Sequence, residues 1–474
     1  MGVNVVKKRL SDFRSEESLR YDYKYISSFV TSSKDFYTFR NLFDFVPYEK
    51  VDIEQLEKFK YAEIGNVNKL GEVEPVELSF EDRQEENESL FKKIEKGDII
   101  NPKKNDILIS KIRPYLNKNV FVNSDDEYFT KAFIHIRPKI NSELFYLVLR
   151  TKFINQINAV SRQGKGYPTL KEDDIKSIRF PKQIVDALIK QEEELIGKIS
   201  PIKDEVNHLK SSKELTVNII NRVFGEEFDF EWDEFERIKQ EKTYNSSILN
   251  FANNVDCRMG IRFHNKAGQY VQTFLEQITN KRIKDFISEP IVLGKSVSPK
   301  DYDEDGEYFY IAMSNIKTWA FDPEDCKKVS DEYSLSNLNK TVQKGDILLA
   351  RSGEGTIGKV ALIEDEEING IFADFTQRIR LTGFDPLCAY YYFRSDFFQY
   401  LVYTHKKGLG NNTNIFPSQI KEFPMPDWDE TKQAEIVEKI KTQLDEQKEI
   451  DRQIEKKQQE INQVIEDTIK QEQN

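Results

Sequence analysis

The sequence predicts an α+β protein: two tandem domains of similar mixed α/β fold, joined and spaced by two long helices that pair as an antiparallel coiled coil. Three observations lead there. An internal repeat runs in order through both halves, apolar β-rich runs sit between turn residues inside each copy, and each copy ends in a heptad seam. The implied boundaries are a first domain over 1–181, a central spacer helix over 182–225, a second domain over 226–428 and a C-terminal spacer helix over 429–474. A chain of 474 residues is long enough for each domain to bury its own core.

The repeat emerges when the second half is laid over the first. KGDI occurs at Lys96–Ile99 and again at Lys344–Ile347. The second copy, GDILLARSGEGTIGKVALI, also resembles NDILISKIRPYLNKNVFV, which puts Asp106 in the place of Asp346. YAEIGNVN from Tyr61 matches YIAMSNIK from Tyr310. ELFYLVLRTKFINQI resembles LCAYYYFRSDFFQYL and sets Arg150 opposite Arg394. LKEDDIKSIRFP (Leu170–Pro181) lies over IFPSQIKEFPMP (Ile415–Pro426) without a gap. One such match arises by chance; several in the same order, at offsets drifting from about 240 to 249, describe a diverged duplication.

Within each copy, KGDIL and GKVALIE read as strands, while SELFYLVLRTKFINQIN and PLCAYYYFRSDFFQYLVY have helical length and spacing. The central segment then places Leu195, Ile199, Ile202, Val206 and Leu209 on a heptad seam, which continues through Lys213 and Thr216 to Ile220 and Val223. The C-terminal segment repeats it with Ile436, Ile440, Gln443, Gln447, Ile450, Ile454, Lys457, Ile461 and Val464. Asp429 and Glu430 suit the first turn of that helix. Pro201 is expected to kink the first helix or delay its regular start. The polar seam residues Gln443, Gln447, Lys457, Lys213 and Thr216 weaken packing and are suited to fixing register. Independent amphipathic helices on separate domains remain the alternative.

A net charge of −12 argues at first against a nucleic-acid partner. Two acidic segments, 72–95 and 226–241, carry all of it. Residues 144–171 hold Arg150, Lys152, Arg162, Lys165 and Lys171 without an acid, and residues 101–118 hold five bases against Asp106. Phosphate contact depends on such local charge, because counterions are released where the backbone is met. No run approaches the 18 or so apolar residues of a membrane span, and MGVNVVKKRLSDFRSEE lacks the apolar core of a secretory signal. Three scattered cysteines, Cys257, Cys326 and Cys388, form no disulfide framework, so a cytoplasmic protein is expected. The four histidines and three cysteines show no metal-ligand spacing, and neither a P-loop, a G-x-S-x-G elbow nor an Asn-Pro-Pro-aromatic methyltransferase signature occurs. A non-catalytic chain without its own cofactor or metal is the expectation.

Two pairs of loops carry the candidate chemistry. Gly353-Glu-Gly355-Thr-Ile-Gly358 satisfies the dinucleotide fingerprint, but KVALIEDEE follows it and opens no helix, so it reads as a glycine-rich hairpin turn. That turn presents Arg351, Ser352, Thr356 and Lys359; the matching stretch of the first copy offers Lys111, Arg113, Tyr115, Asn117 and Lys118. SRQGKGYPTL and HKKGLGNNTNIF share a G-x-G core preceded by bases and followed by hydroxyl or amide side chains. They supply Arg162, Gln163, Lys165, Tyr167 and Thr169 in one copy, and Lys406, Lys407, Asn411, Asn412, Thr413 and Asn414 in the other. Such residues pair with phosphates and base edges. A polar loop without a ligand is the plain alternative.

Taken together, the tandem repeats, the GDILLARSGEGTIGKVALI segment, the G-x-G loop ahead of IFPSQIKEFPMP and the paired heptad helices resemble specificity subunits of type I restriction-modification systems. LRYDYKY near Arg20 and CRMGIRF near Arg258 fit the usual start of each recognition domain in that family. The resemblance implies that each target-recognition domain reads one half of a bipartite, asymmetric double-stranded DNA target, with the helices setting the distance between halves. It also implies two methyltransferase subunits as partners, which hold S-adenosylmethionine and methylate adenine, and motor-nuclease subunits that join for cleavage. A specificity subunit serving a stand-alone methyltransferase, and a coiled-coil scaffold that binds proteins, are the competing readings.

Overall fold

Short apolar runs closed by turn residues build the sheets of both copies. The computed structural model describes residues 35–79, 88–151, 153–163, 167–176, 178–241, 258, 260–316, 319–323, 326–353, 355–366, 368–408 and 412–471. Arg20 and the LRYDYKY segment lie outside the described residues. The chain divides into two units: residues 1–212 with 452–474, and residues 213–451.

In the first unit the strands are β1 (Phe36–Thr38), β2 (Phe43–Phe45), β3 (Lys58–Ala62), β4 (Val76–Ser79), β5 (Ile107–Ser110), β6 (Val120–Phe121), β7 (Glu127–Phe129), β8 (Phe133–Pro138), β9 (Arg162–Gln163), β10 (Pro168–Thr169) and β11 (Arg179–Pro181). They form a four-stranded sheet of order β2-β8-β5-β6 and a three-stranded sheet of order β4-β3-β7, besides two short pairs. In the second unit the strands are β12 (Val292–Leu293), β13 (Tyr308–Ile311), β14 (Lys327–Val329), β15 (Ile347–Ala350), β16 (Val360–Leu362), β17 (Gly370–Phe372) and β18 (Thr376–Ile379). Their sheets have the orders β12-β18-β15-β16 and β14-β13-β17. The plan is the same. Even the mixed pairing recurs: β3 is antiparallel to β4 and parallel to β7, as β13 is to β14 and β17.

Register decides between the two first-half counterparts of the GDIL segment. β5 begins at Ile107 and β15 at Ile347, so Asn105-Asp106 takes the place of Gly345-Asp346. KGDI at Lys96–Ile99 follows the helix Glu88–Glu95 instead and is a local coincidence. Asn105 has φ 72° and Gly345 φ 86°. This left-handed turn tolerates Asn as well as Gly, which is why the repeat survives that substitution. Both turns are closed alike, by Lys103 N–H donating to Asp106 Oδ2 at 3.0 Å and Gln343 N–H donating to Asp346 Oδ2 at 2.8 Å.

Helices cover the sheets. In the first unit Ser142–Thr151 buries Leu144, Phe145, Val148 and Leu149, one stripe at helical spacing. In the second, Pro386–Arg394 buries every residue from Cys388 to Phe393 and lies within the core. No helix of the described residues is long and apolar enough to cross a membrane.

The central segment departs from the expectation of one helix over 182–225. It is three helices, Lys182–Lys190, Glu192–Ser211 and Thr216–Phe228. Pro201 does not end the middle one. Pro201 and Gly197 both lie on its exposed side, so the carbonyl that loses its amide partner faces water. The interruption falls at 212–215, which places Lys213 outside any helix and Thr216 at a helix start, not within a continuous seam. The C-terminal helix is unbroken over Glu430–Gln471, 42 residues, a rise of roughly 60 Å.

Of the apolar seam residues, Leu195, Ile199, Val206, Ile220, Val223, Ile436, Ile440, Ile454 and Ile461 are buried, and Ile202, Leu209, Ile450 and Val464 are half-buried. Ile465 and Ile469, outside the expected seam, are buried too. In the first unit Leu195 and Ile199 share a core with Ile461, Ile465 and Ile469, and Lys457 pairs with Glu205 at 2.6 Å. In the second, Lys213 pairs with Asp451 at 2.6 Å, Gln447 Oε1 accepts from Glu214 N–H at 2.8 Å, and Arg222 donates to Gln443 Oε1. One series of numbers rises as the other falls, so the strands of this contact run antiparallel within that unit. All four long polar seam side chains thus make contacts between the central segment and the C-terminal helix, two of them at the 212–215 break.

Candidate nucleic-acid interface

The strand pair β5–β6 is joined by residues 111–119, and β15–β16 by residues 351–359. The second connection is the hairpin turn expected of the G-x-G-x-x-G stretch. Gly353, Gly355 and Gly358 have φ of 89°, 76° and 87°. A Cβ on Gly358 would sit 2.8 Å from Gln399 Oε1 and 2.9 Å from Val402 Cγ1, so glycine is needed for close packing as well as for φ. In the first copy Arg113 and Asn117 adopt the same left-handed region at φ 48° and 52°.

Each turn is stitched to the G-x-G loop of its own domain. Ile112 bridges Thr169, and Leu170 N–H donates to Lys111 O at 2.8 Å. Ser352 bridges Asn414, and Ile415 N–H donates to Arg351 O at 2.9 Å. The two loops singled out separately in each copy therefore form one surface, twice, with equivalent residues making the joint.

The individual side chains divide into two groups. Several are used internally. Lys111 Nζ donates to Tyr48 OH at 2.5 Å and Lys131 O at 2.8 Å, and burial lowers its pKa. Lys118 Nζ reaches Ile64 O at 3.3 Å, and burial lowers its pKa too. Arg162 forms a forked pair with the buried Asp174 through Nε at 2.9 Å and Nη2 at 2.7 Å. Thr356 turns its hydroxyl back to Ser352 O at 2.9 Å. Ser352, Lys406 and Thr413 are buried, and Lys406 Nζ lies 5.2 Å from the centre of the Tyr403 ring. Asn414 Nδ2 donates to Asn412 O at 3.0 Å, while its backbone pairs with Lys407. Of the pair matched by sequence, Arg150 braces loops by donating to the carbonyls of Asn117, Asn119 and Lys69, and Arg394 donates to Tyr390 OH of its own helix.

Others face outward. Asn412 and Tyr167 are exposed, and Thr169, Arg351, Lys359 and Lys407 are half-buried. The Lys359 ammonium lies 5.8 Å from the Trp319 ring. Lys165 and Asn411 lie outside the described residues, as does the side chain of Gln163, whose backbone pairs with Pro168 in β9–β10. Arginine meets aromatic rings in both copies. Arg113 stands over Tyr167 at 5.7 Å, and Arg351 lies 5.9 Å from each of Phe375 and Phe416. Tyr115 and Phe416 are large rings left exposed in these loops, and Phe375 is a third in the adjoining β17–β18 connection. Sequence reasoning passed over the two phenylalanines, because nothing in a sequence tells an exposed phenylalanine from a core one.

At the end of each hairpin away from these turns sits a buried carboxylate. Asp106 is 1% exposed and Asp346 0%. Arg137 grips Asp106 through Nε at 2.7 Å and Nη2 at 2.8 Å, and Arg380 grips Asp346 with the same two distances. In the first copy His135 Nε2 adds a contact at 2.7 Å. Burial alone would raise the Asp106 pKa; the hydrogen bonds from His135, Arg137 and Lys103 N–H outweigh it and pull it down to about 2. Among the described residues no group of His, Cys, Asp and Glu is arranged to hold a metal ion.

Comparison with known proteins adds an independent line. None of the curated proteins matches the chain. Solved structures that resemble it include a chain from work on complex assembly and conformational transition of the type I R-M system (14% identity, TM-score 0.34, covering 92% of this chain and 96% of that one). Two others are the HsdS subunit from Thermoanaerobacter tengcongensis (15%, 0.29, 90% and 94%) and the type I restriction-modification S subunit from M. genitalium (11%, 0.30, 93% and 97%). Residues 275–463 match the family described as "Type I restriction modification DNA specificity domain". That span takes in every strand of the second unit and its stitched loops. Residues 275–463 are thus similar to a type I restriction modification DNA specificity domain, and the same sheet plan is repeated ahead of them.

Proposed function

We propose that this chain is the reading component of a type I complex, in which each unit recognises one half of a bipartite, asymmetric DNA sequence through its stitched pair of loops. One observation carries the reading: both units build the same two-loop surface and put an arginine and exposed aromatic rings on it. Cations that meet phosphates and forked or amide side chains that meet base edges are the chemistry of duplex recognition. The loops differ in residue between copies, which suits two different half-sites. The internally bonded members, Lys111, Lys118, Arg162 and Thr356, hold the surface in shape; Arg113, Tyr167, Thr169, Arg351, Lys359, Lys407 and Asn412 are offered as contacts.

The chain works without chemistry of its own. Two methyltransferase subunits bind along the central and C-terminal helices, which pair as an antiparallel coiled coil, and those subunits carry S-adenosylmethionine; motor-nuclease subunits join where cleavage follows. The complex acts in the cytoplasm, on chromosomal and incoming DNA. A mobility shift with the chain and its methyltransferase tests the reading. Binding should fall steeply with salt, by about 10³-fold or more between 50 and 200 mM if six or more phosphates are met. Salt-insensitive binding, or none, would leave the protein-binding scaffold as the better description.

A further inference from the structure

Arg351 is held in place in the second interface, and the hold leaves its working end open. Its backbone N–H donates to Phe375 O and its carbonyl accepts from Ile415 N–H, both at 2.9 Å, so the main chain is tied on either side to the loops that carry the two rings. Its Nε donates to Asp374 O at 3.0 Å. Its guanidinium carbon lies 5.9 Å from the centres of Phe375 and Phe416, within reach of a cation–π contact with both. Among the described residues Nη1 and Nη2 take no hydrogen bond. The two rings are 48% and 38% exposed, far too open to be serving the core.

Resting on the reading above, we infer that Arg351, clamped by Phe375 and Phe416, reads one guanine in the half-site bound by the second unit. With Nε committed, the remaining donors form an end-on fork, and the guanine major-groove edge offers O6 and N7 as a matching pair of acceptors. Fixing the guanidinium beforehand removes the rotamer entropy that a free arginine loses on binding. Phe375 and Phe416 are positioning residues. The equivalent place in the first copy is Lys111, whose ammonium is already bonded to Tyr48 and Lys131, so that position does not read a base in the first unit.

The test is methylome sequencing of cells that express the full chain with its methyltransferase, for the native protein and for Arg351→Lys, Phe416→Ala, Phe375→Ala and Phe416→Tyr, with co-purification of the methyltransferase as the check on assembly. The native target should contain a guanine whose discrimination falls at least about tenfold in Arg351→Lys, while the other half-site is unchanged. Phe416→Ala and Phe375→Ala should relax the same position in part, and Phe416→Tyr, which keeps the ring face, should restore it. Undiminished stringency at every position in Arg351→Lys would overturn the assignment in favour of a phosphate contact, which a lysine can replace. A target whose second-unit half lacks guanine would overturn it as well, while leaving the specificity function intact. Absence of any sequence-specific methylation by the native complex would bring down the specificity reading itself.

Discussion

Asp106 shows how one buried carboxylate fixes the turn that leads into a core strand. It closes the turn ahead of β5, accepts from Lys103 N–H and is gripped from β8 by Arg137 and His135. Replacing it by Asn removes the charge and leaves Arg137 without its fork. Because Arg137 is half-exposed and can rehydrate, the expected loss is about 2 kcal/mol, below the range for a fully buried pair. The pH dependence has a definite sign. The folded pKa of about 2 lies below the ordinary 3.8, so the contribution is complete above about pH 4 and is lost as the pH falls through 2. Urea unfolding midpoints measured between pH 2 and 6 should therefore show Asp106→Asn weaker than the native chain at pH 6, the two converging towards pH 2. A constant gap across that interval would mean that the carboxylate charge is not what holds the turn.

Among the elements, the helices separate what periodicity reveals from what it hides. The C-terminal helix was legible because Ile436, Ile440, Ile454 and Ile461 keep helical spacing with no breaker between them, and all four are buried. The central segment carried a similar apolar pattern yet is interrupted at 212–215. Heptad counting bridges such a gap, since the spacing of Leu209 and Ile220 does not depend on whether the chain between them is helical. What stabilises the break is remote in sequence: Asp451 and Gln447 take up Lys213 Nζ and Glu214 N–H. The duplicated sheets were legible in outline through Asp106 and Asp346, but the competing KGDI match could be rejected only by strand register. The rings around Arg351 were not legible at all, because exposure is a property of the fold. The seam also makes a quantitative claim. Ile465 is 0% exposed and packed with Leu195 and Ile199, so Ile465→Ala should cost about 2–5 kcal/mol. Lys457 makes only accessible ion pairs, so Lys457→Ala should change stability far less than Ile465→Ala. Paired denaturation curves decide it; equal effects would mean that polar pairing, not apolar burial, holds this part of the helix.

For the whole molecule, the consequence of duplication is independence of the two readers. Every strand of the second four-stranded and three-stranded sheets lies between Val292 and Ile379, and its stitched loops end by Phe416. Among the described residues each sheet is built from the strands of one unit. On the proposed function, exchanging residues 226–428 for a recognition domain of a type I specificity subunit should therefore replace one half of the methylated sequence and leave the other half as it was, as read by methylome sequencing. Loss of both halves in a folded, methyltransferase-bound complex would show that the readers are coupled, which the separate sheets do not allow. Helix length makes the complementary prediction. The boundary between units falls at 212/213, just past the helix Glu192–Ser211, and at 451/452 in the C-terminal helix, so a heptad added within the last turns of Glu192–Ser211 and another at 451/452 add about 10 Å of helical rise. At about 3.4 Å per base pair that is close to three steps of duplex. The unread spacer should lengthen by about three base pairs with both half-sites unchanged. A methylome with the original spacer would mean that the distance between half-sites is set by the partner subunits, and the helices would then be a docking surface without being a ruler.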